Sequence, residues 1–461
     1  MRTAAASASL VLAVVIVYHN ALAASFFDDD FQWLVGSWSF HPAQLVAFGS
    51  LSHFYRPVID IYFAVMTPLL GGAPVLFHAA SIALHAVNVL VVFALASRIY
   101  GPAEAGPHIH RRGRPSGGPS ANLFGFVAAL LFAVQPSDID AVAWVGALAE
   151  AIGALFGCLS VLWFLRWREE GQSRFRALSV AAFVLALLTH ESSVVFLPVL
   201  MLADWLLVRR VRKDPPYPTD SRPARPGPFG PGGWMPYFLL TSIYLAIDLW
   251  INSRNYLVSQ GHYAIGLHMF TNALDYIDAL YVGRRDALNY TVIVIGLAAL
   301  LVRGNARVKF AVCWMLLALA PFLLFNWGNT SRYLYQPAIG FSMLLAEGVL
   351  QLHRRLASGI GHRVGSGFSR NILPIVVAVI AIRFGVFANA NVRDFAMRTH
   401  VYPEYLARFR SIHGNVPSNT VIASDPRLAT TLPYQFVNAA VPWEYRDATI
   451  QIAPYESNGV H

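Results

Sequence analysis

The chain has little charge for its length. Only 13% of its 461 residues are Asp, Glu, Lys or Arg, whereas 56% are hydrophobic. A water-soluble protein of this length carries about twice that share of charged residues. The composition therefore excludes a soluble globular protein and predicts an all-α polytopic membrane protein, because an α-helix satisfies its own backbone hydrogen bonds inside a bilayer.

Cysteines are few, and several nucleotide- and metal-binding motifs are missing. Cys158 and Cys313 both lie in apolar segments, which argues against a disulfide framework. The sequence has no Walker-type loop, no GxGxxG in a strand–helix context and no HExxH, so nucleotide-driven transport and zincin proteolysis are unsupported. The net charge of +9 does not indicate a nucleic-acid partner, since the basic residues cluster in short loops between apolar segments.

Apolar segments predict about eleven transmembrane helices in a domain that covers residues 1–390. Residues 57–70 are too short to cross a membrane comfortably, and we expect an interfacial helix there, within a first outer loop at 25–73. The predicted membrane-spanning segments are 4–24, 74–98, 122–136, 146–165, 176–190, 192–208, 234–251, 288–302, 308–325, 331–350 and 371–388.

The basic loops predict the orientation in a plasma (inner) membrane. Five loops rich in arginine alternate with loops poor in Lys and Arg, and basic loops stay on the cytoplasmic side. The amino terminus is then cytoplasmic and the carboxyl terminus outside. Two of the basic loops, 101–121 and 211–233, are rich in Pro, Gly and Arg and are predicted to be disordered. An alternative is that residues 1–24 are a cleaved signal peptide, which also leaves the next loop outside.

The last 70 or so residues are less apolar than the rest of the chain. Two strand-like runs, 420–423 and 449–453, lie there among turn residues. We expect residues 391–461 to form a small appendage on the outer side.

Polar residues gather in the predicted outer loops. Three consecutive aspartates follow the first apolar segment, and carboxylates at a membrane boundary are costly to desolvate unless they contact water, a cation or a substrate. Each group alone could be a solvated turn, a helix cap or a boundary residue. Together they favour a water-exposed cleft with several carboxylates and one or two arginines. The candidates are Asp28, Asp29, Asp30, Arg56, Asp138, Asp140, His190, Glu191, Arg332 and Tyr333.

Such a cleft suits two kinds of chemistry. A carboxylate near a basic group can deprotonate an acceptor hydroxyl while cations hold a phosphate leaving group. Two carboxylates separated by one residue, as in Asp138 and Asp140, also suit a divalent cation such as Mg²⁺ or Mn²⁺. The residues alone leave the choice open.

Four local motifs resemble the GT-C superfamily of membrane glycosyltransferases, and in particular the protein O-mannosyltransferase-like enzymes. The resemblance covers roughly residues 1–350 and is nearest to the membrane portion of the transmembrane-and-tetratricopeptide O-mannosyltransferases, without their repeats. The motifs are Phe27-Asp28-Asp29, Tyr55-Arg56-Pro57, the stretch from Leu131 to Trp144, and the stretch from Ser331 to Phe341.

The resemblance implies a GT-C-type bundle and an inverting transferase with an outward-facing site. The donor would be a sugar on a polyprenyl phosphate, and the acceptor a hydroxyl of a protein, a lipid or a glycan. Asp28 or Asp29 would be the catalytic base, and Arg56, Arg332 and Tyr333 would hold the lipid phosphate. The implied partners are this donor, membrane lipids and a protein or glycan acceptor.

Three positions depart from the family pattern. Gln135 stands where those relatives have His, Asp140 where they have Glu, and His190 where they have Lys. The Asp138-Ile139-Asp140 turn is instead similar to the D-x-D of the oligosaccharyltransferase catalytic subunit, which uses a divalent metal. Asp138, Asp140, His190 and Glu191 are therefore candidates for substrate or metal binding, and metal dependence stays open.

Two alternatives belong to other functional classes. A secondary transporter or a flippase of lipid-linked precursors would use the outer carboxylates as ion sites. Such proteins usually carry ionisable groups near the membrane midplane and an internal repeat, and no repeat is evident in this sequence. A non-catalytic scaffold that kept the fold is the third possibility.

Overall fold

The computed structural model describes residues 3–46, 54–101, 119–208, 233–253, 258, 260–326, 330–360, 367–423, 426–428 and 432–453. These residues are mainly helical, and the expected all-α polytopic membrane fold is confirmed. The two loops predicted to be disordered, 101–121 and 211–233, lie almost wholly outside the described residues.

Eighteen α-helices and two short strands are present in the described residues. The helices are α1 Thr3–Tyr18, α2 Asp30–Gly36, α3 Ala43–Val46, α4 Pro57–Leu69, α5 Pro74–Tyr100, α6 Pro119–Ala133, α7 Ile139–Ala143, α8 Leu148–Glu170, α9 Ser173–Leu187, α10 Phe196–Leu202, α11 Met235–Asn252, α12 His268–Tyr281, α13 Ala287–Arg303, α14 Ala306–Leu319, α15 Tyr335–Ile360, α16 Gly367–Thr399, α17 Val401–His413 and α18 Tyr434–Tyr445. The strands are β1 Val421–Ile422 and β2 Gln451–Ile452.

Six helical segments among the described residues are long and apolar enough to cross a membrane, and a bent pair of helices adds a seventh. The eleven predicted segments all overlap helices. Four of those helices are too short or too polar to qualify alone, namely the ones at 176–190, 234–251, 288–302 and 331–350. The six are Thr3–Ala23, Pro74–Tyr100, Val145–Glu170, Glu191–Val208, Ala306–Leu324 and Ile372–His413.

The bent pair consists of Ala121–Ala133 and Pro136–Ala143, which meet at 49°. The bend follows from Pro136, which cannot donate a backbone hydrogen bond and which keeps the preceding residue out of the helical region. Gln135 is accordingly extended, with φ −66° and ψ 123°. The short helices after the bend bring the chain back to the first outer loop, where Trp144 contacts Phe27 at 5.9 Å between ring centroids.

The hydrophobic core has two parts. The larger part lies between the long helices of the bundle. The second joins the first outer loop to the carboxyl-terminal segment, where buried aromatic side chains of both regions pack together. Phe26 contacts Trp443 edge to face at 5.8 Å between ring centroids, and Phe31 lies 5.2 Å from Tyr402. The carboxyl-terminal segment therefore packs directly on the first outer loop.

The segment predicted as an outer appendage is mostly helical and continuous with the bundle. Helix α16 runs through residue 390, the predicted boundary, and α17 follows after His400. The two strand-like runs contain β1 and β2, which pair in parallel with Val421 opposite Gln451. The interfacial helix expected at 57–70 corresponds to α4, which begins at Pro57, a favoured first helical residue.

Basic residues of the predicted cytoplasmic loops meet around the end of α5. Arg98 forms ion pairs with Glu169 at 2.6 Å and with Glu170 at 3.0 Å. The Arg307 guanidinium donates to the Tyr100 carbonyl at 2.9 Å and lies over the Tyr100 ring. Three loops assigned to the same side by their charge thus contact one another.

Candidate functional site

The aspartate triplet lies at a sharp turn between the first apolar helix and α2. Asp28 has φ +46°, a left-handed conformation that aspartate tolerates better than most residues. Asp30 begins α2, and its buried carboxylate accepts the backbone N–H groups of Phe27 at 2.8 Å and of Gly146 at 2.5 Å. Asp30, for which the sequence offered no role, therefore joins the first outer loop to the segment before α8.

Asp28 is bound by a side chain from the other end of the chain. The Tyr402 hydroxyl, at the start of α17, donates to Asp28 Oδ1 over 2.6 Å. Burial raises the pKa of the Asp28 carboxyl above its usual value, and the Tyr402 hydrogen bond and the Arg332 charge partly offset that rise. One oxygen of Asp28 is thus already hydrogen-bonded within the protein.

Asp29 has a carboxylate oxygen without a partner. Its Oδ1 atom is buried and receives no hydrogen bond from any described residue. It packs on Gly146, where an added Cβ would overlap Asp29 Oδ1 and lie 3.0 Å from its Cγ. Burial raises the pKa of Asp29 to about 6, although the nearby Arg332 charge lowers it. A carboxyl with such a pKa can exchange protons near neutral pH.

Arg56 and Glu191 form a two-bond ion pair between the first outer loop and the third. The Arg56 Nε donates to Glu191 Oε2 at 3.0 Å, and its Nη2 donates to Oε1 at 2.6 Å. The side chains are only 12% and 27% exposed. The pair is bidentate, with two parallel N–H···O hydrogen bonds, and it fixes the position of the guanidinium in the site.

His190 connects this ion pair to a buried acid that the sequence analysis missed. The Ser192 backbone N–H donates to His190 Nδ1, so the ring proton is on Nε2, which faces Glu150 Oε1 at 3.4 Å. Gln336 Nε2 donates to Glu150 Oε2 at 3.2 Å. Glu150 lies in the predicted apolar segment 146–165, and an acid in such a segment is itself the signal that could have identified it.

Arg332 lies between Trp144 and Tyr333. Its guanidinium carbon is 5.0 Å from the centroid of the Trp144 ring, and its Nη2 donates to the Tyr333 hydroxyl at 3.0 Å. Tyr333 is buried and stacks on Phe322 at 4.3 Å. Among the described residues, no carboxylate forms an ion pair with Arg332. Its charge therefore acts on Asp28 and Asp29 without direct contact and is available to an anion.

The two carboxylates of the D-x-D-like turn do not form a pair. Asp138 is fully buried, accepts from Ser137 at 3.4 Å, and interacts electrostatically with Tyr18 and Tyr335 in the bundle core. Asp140 is partly exposed and accepts from the Ser331 hydroxyl at 2.5 Å. In the part of the chain that the structure describes, no three His, Cys, Asp or Glu side chains are arranged to hold a metal ion. Among the described side chains, Asp138 and Asp140 are thus not placed to share a divalent cation.

Most of the predicted site residues come together. The charges of Arg332 and Arg56 both act on Asp29, and Arg56 is bonded to Glu191 beside His190. Asp140 joins the group through Ser331, the neighbour of Arg332, whereas Asp138 lies in the core. The grouped residues, here called the acid–arginine cluster, are Asp28, Asp29, Arg56, Asp140, Glu150, His190, Glu191 and Arg332.

Comparisons with known proteins give a likeness of structure. No family model matches the sequence, and no curated protein matches it either. The structure of ArnT from Cupriavidus metallidurans bound to undecaprenyl phosphate matches with a TM-score of 0.54 and 11% identity, over 99% of this chain and 87% of that chain. At this identity the likeness shows the fold. The chain is a polytopic all-α membrane protein whose fold is similar to that of ArnT.

Proposed function

We propose that the chain is a membrane glycosyltransferase that moves a sugar from a polyprenyl-phosphate donor to an acceptor hydroxyl of a protein, a lipid or a glycan. The observation that carries the proposal is Asp29, whose buried Oδ1 has no hydrogen-bond partner and whose carboxylate lies within the field of Arg332. A base and a cation so placed match the two charges that develop when a hydroxyl attacks a sugar phosphate.

In the proposed reaction Asp29 is the general base. The acceptor oxygen attacks the anomeric carbon from the face opposite the phosphate, and Asp29 takes the hydroxyl proton as the new C–O bond forms. The bond from the anomeric carbon to the phosphate oxygen breaks, and its electrons leave with the polyprenyl phosphate. A single displacement of this kind inverts the anomeric centre.

Arg332 is the proposed ligand of the donor phosphate. It has no carboxylate partner among the described residues, whereas two of the three guanidinium nitrogens of Arg56, Nε and Nη2, donate to Glu191. Guanidinium groups bind phosphate through paired hydrogen bonds and stabilise the charge of a leaving phosphate. Arg56 is proposed to add positive potential at the same place, with Tyr333 holding Arg332 in position.

The sugar and the membrane are proposed from the sequence motifs. Their similarity to O-mannosyltransferase-like enzymes favours a mannose-like hexose. The basic loops favour a plasma (inner) membrane with the amino terminus in the cytoplasm, and the acid–arginine cluster then faces outward. The undecaprenyl phosphate bound by ArnT supports a long-chain polyprenyl carrier for the donor.

A transfer assay with the full chain in nanodiscs tests the proposal. The assay measures how much radiolabelled mannose passes from undecaprenyl phosphate to membrane acceptors. We expect Asp29→Asn to abolish transfer, and Asp28→Asn to reduce it less, because Asp28 already binds Tyr402. Asp286→Asn is the matched control, since Asp286 caps α13 and asparagine caps equally well.

Full transfer by Asp28→Asn, Asp29→Asn and the double variant would overturn the assignment of the base. Exchange of intact lipid-linked sugar across proteoliposomes, without a new glycosidic bond, would instead support the transporter alternative.

A further inference from the structure

A cavity shares Asp140 with the acid–arginine cluster and extends from it towards α16. The cavity has a volume of about 740 Å³ and opens between the D-x-D-like turn and the carboxyl-terminal half of α16. This is within the usual size range of small-molecule sites. Its polar lining consists of Asp140, Ser331, Asn391, Asp394 and Arg398.

The polar side chains that α16 contributes to this cavity form few contacts within the described chain. Asn391, Asp394 and Arg398 follow one another at intervals of three and four residues, so they lie on one face of the helix. All three are exposed. Within the described chain, Asn391 and Asp394 form no hydrogen bond or ion pair, and Arg398 contacts the Phe395 ring at 5.9 Å. Their donors and acceptors are free for a ligand.

The charges in the cavity disfavour an anion. Two carboxylates, Asp140 and Asp394, line the cavity with a single guanidinium, Arg398, so the net charge of its lining is negative and disfavours a phosphate. Carboxylates and amides can instead bond neighbouring hydroxyls, and an arginine donates to ring or hydroxyl oxygens. Met397 and Ile139 add apolar surface for the C–H face of a sugar ring. This set of groups fits a neutral carbohydrate.

The cavity is adjacent to the proposed reaction centre. Ser331 precedes Arg332 in the chain and bonds Asp140. Phe395 on α16 contacts Phe27 at 5.9 Å, and Phe27 in turn contacts Trp144 at 5.9 Å. A glycosyl group in the cavity would thus lie beside both the cation and the aspartate loop.

We propose that this cavity is a carbohydrate subsite in which Asn391, Asp394 and Arg398 bind the hydroxyls of a neutral glycosyl group. The proposal rests on the proposed glycosyltransferase function and gives the chemical class of the group held beside the catalytic carboxylates. The group could be the sugar of the lipid-linked donor or a glycan acceptor, which share this chemistry.

Saturation-transfer NMR tests the subsite without requiring sugar transfer. The full chain in nanodiscs is mixed with methyl glycosides of glucose, mannose, galactose and N-acetylglucosamine. We expect at least one glycoside to receive saturation, and Asp394→Leu and Asn391→Leu each to weaken its binding about tenfold. Arg393→Leu is the matched control, because Arg393 is exposed on the same helix but does not line the cavity. Thermal unfolding of each variant verifies that it is folded, and Asp394→Asn provides a milder change.

Addition of mannose linked to undecaprenyl phosphate shows whether the cavity binds the donor sugar or a glycan acceptor. Displacement of the bound glycoside assigns the cavity to the donor sugar, and its retention assigns the cavity to an acceptor glycan. Absence of saturation for all four glycosides, or equal signals in the wild type and both leucine variants, overturns the subsite. If transfer activity persists in that case, the proposed function stands. If glycosides bind through Asp394 but no transfer occurs, the subsite stands and the proposed function fails.

Discussion

The Tyr402 hydroxyl donates a hydrogen bond of 2.6 Å to Asp28, a residue 374 positions earlier in the chain. The Tyr402 ring also contacts Phe27 at 5.7 Å and Phe31 at 5.2 Å. The carboxyl-terminal segment thus contacts the aspartate loop directly. Residues from both terminal regions therefore contribute to the candidate site.

Replacement of Tyr402 by phenylalanine tests this contact. The hydrogen bond stabilises the ionised form of Asp28, so its loss should raise the pKa of Asp28 further and shift the aspartate loop. We expect transfer to fall about tenfold, because a hydrogen bond to a charged group contributes about 1.5 kcal/mol. Initial rates and thermal unfolding measure the two effects.

Tyr445→Phe is the control for that substitution. The Tyr445 hydroxyl also donates within the carboxyl-terminal segment, to the Gly414 carbonyl at 2.6 Å, and it does not reach the aspartates. Its removal should cost a similar stability of about 1 kcal/mol and leave transfer unchanged. Equal activity losses in the two variants would show that the segment acts only through stability.

Asp29 predicts the pH dependence of transfer. A general base must be ionised, and burial raises the pKa of Asp29 to about 6. The rate under subsaturating donor should therefore rise about tenfold per pH unit below 6 and level off above it. Asp28→Asn removes a negative charge next to Asp29, so it should move the inflection of the pH–rate profile to lower pH. A wild-type profile with its inflection near 4, the ordinary pKa of an aspartate, would contradict the assignment of Asp29 as the base.

The raised pKa of Asp29 also makes the stability of the folded protein depend on pH. The pKa of Asp29 is higher in the folded protein than in the unfolded chain, so the folded state binds more protons between about pH 4 and 6. Asp29 therefore lowers stability as the pH rises through this window. Asp29→Asn should lose transfer while keeping or raising the unfolding temperature at pH 7, which a purely structural role of Asp29 would not allow.

The fold followed from the sequence because long apolar segments in a bilayer have few alternatives to helices. The number of spans followed less directly, since α9 has only 15 residues and α15 ends in a polar stretch. The bend at Pro136 could be predicted from the sequence, but its effect on the positions of Asp138 and Asp140 could not. It directs Asp138 into the core and Asp140 towards Ser331, so two acids that are neighbours in sequence separate in space.

The grouping of the candidate residues was predictable where a short motif holds several of them. Asp28, Asp29, Arg56 and Arg332 were identified in this way and do share one electrostatic environment. Tyr402, Asp394 and Gly146 were missed because their roles depend on tertiary contacts between distant segments. Nothing in the sequence near Tyr402 indicates that its hydroxyl would meet an aspartate.

Gly146 tests whether Asp29 needs its present position. A methyl group at this residue would overlap Asp29 Oδ1 and lie 3.1 Å from Asp30 Oδ1. Gly146→Ala should therefore displace the carboxylate, and a displacement of about 1 Å can reduce the rate about a hundredfold. Gly296→Ala is the matched control, because its Cβ meets nothing within 4 Å, and it should leave transfer unchanged. Full activity of Gly146→Ala would mean that Asp29 can move without loss and is not the base.

The two arginines of the acid–arginine cluster should respond differently to substitution. Arg332 has no carboxylate partner in the described part of the chain, so Arg332→Gln should weaken the binding of undecaprenyl phosphate by about 2 kcal/mol, or roughly thirtyfold in Kd. Arg56 is bonded to Glu191, so Arg56→Gln leaves a largely buried carboxylate unpaired and should mainly reduce stability, by about 2 kcal/mol.

Native mass spectrometry for lipid affinity and thermal unfolding for stability separate these effects. The double variant Arg56→Gln with Glu191→Gln removes both charges of the pair and should recover much of the lost stability. Glu191→Gln alone removes a negative charge beside Arg56, and it should tighten undecaprenyl phosphate binding because the positive potential at the site rises. If Arg56→Gln weakened lipid binding as much as Arg332→Gln while stability stayed constant, Arg56 would be a direct phosphate ligand and the Glu191 pair would open when the donor binds.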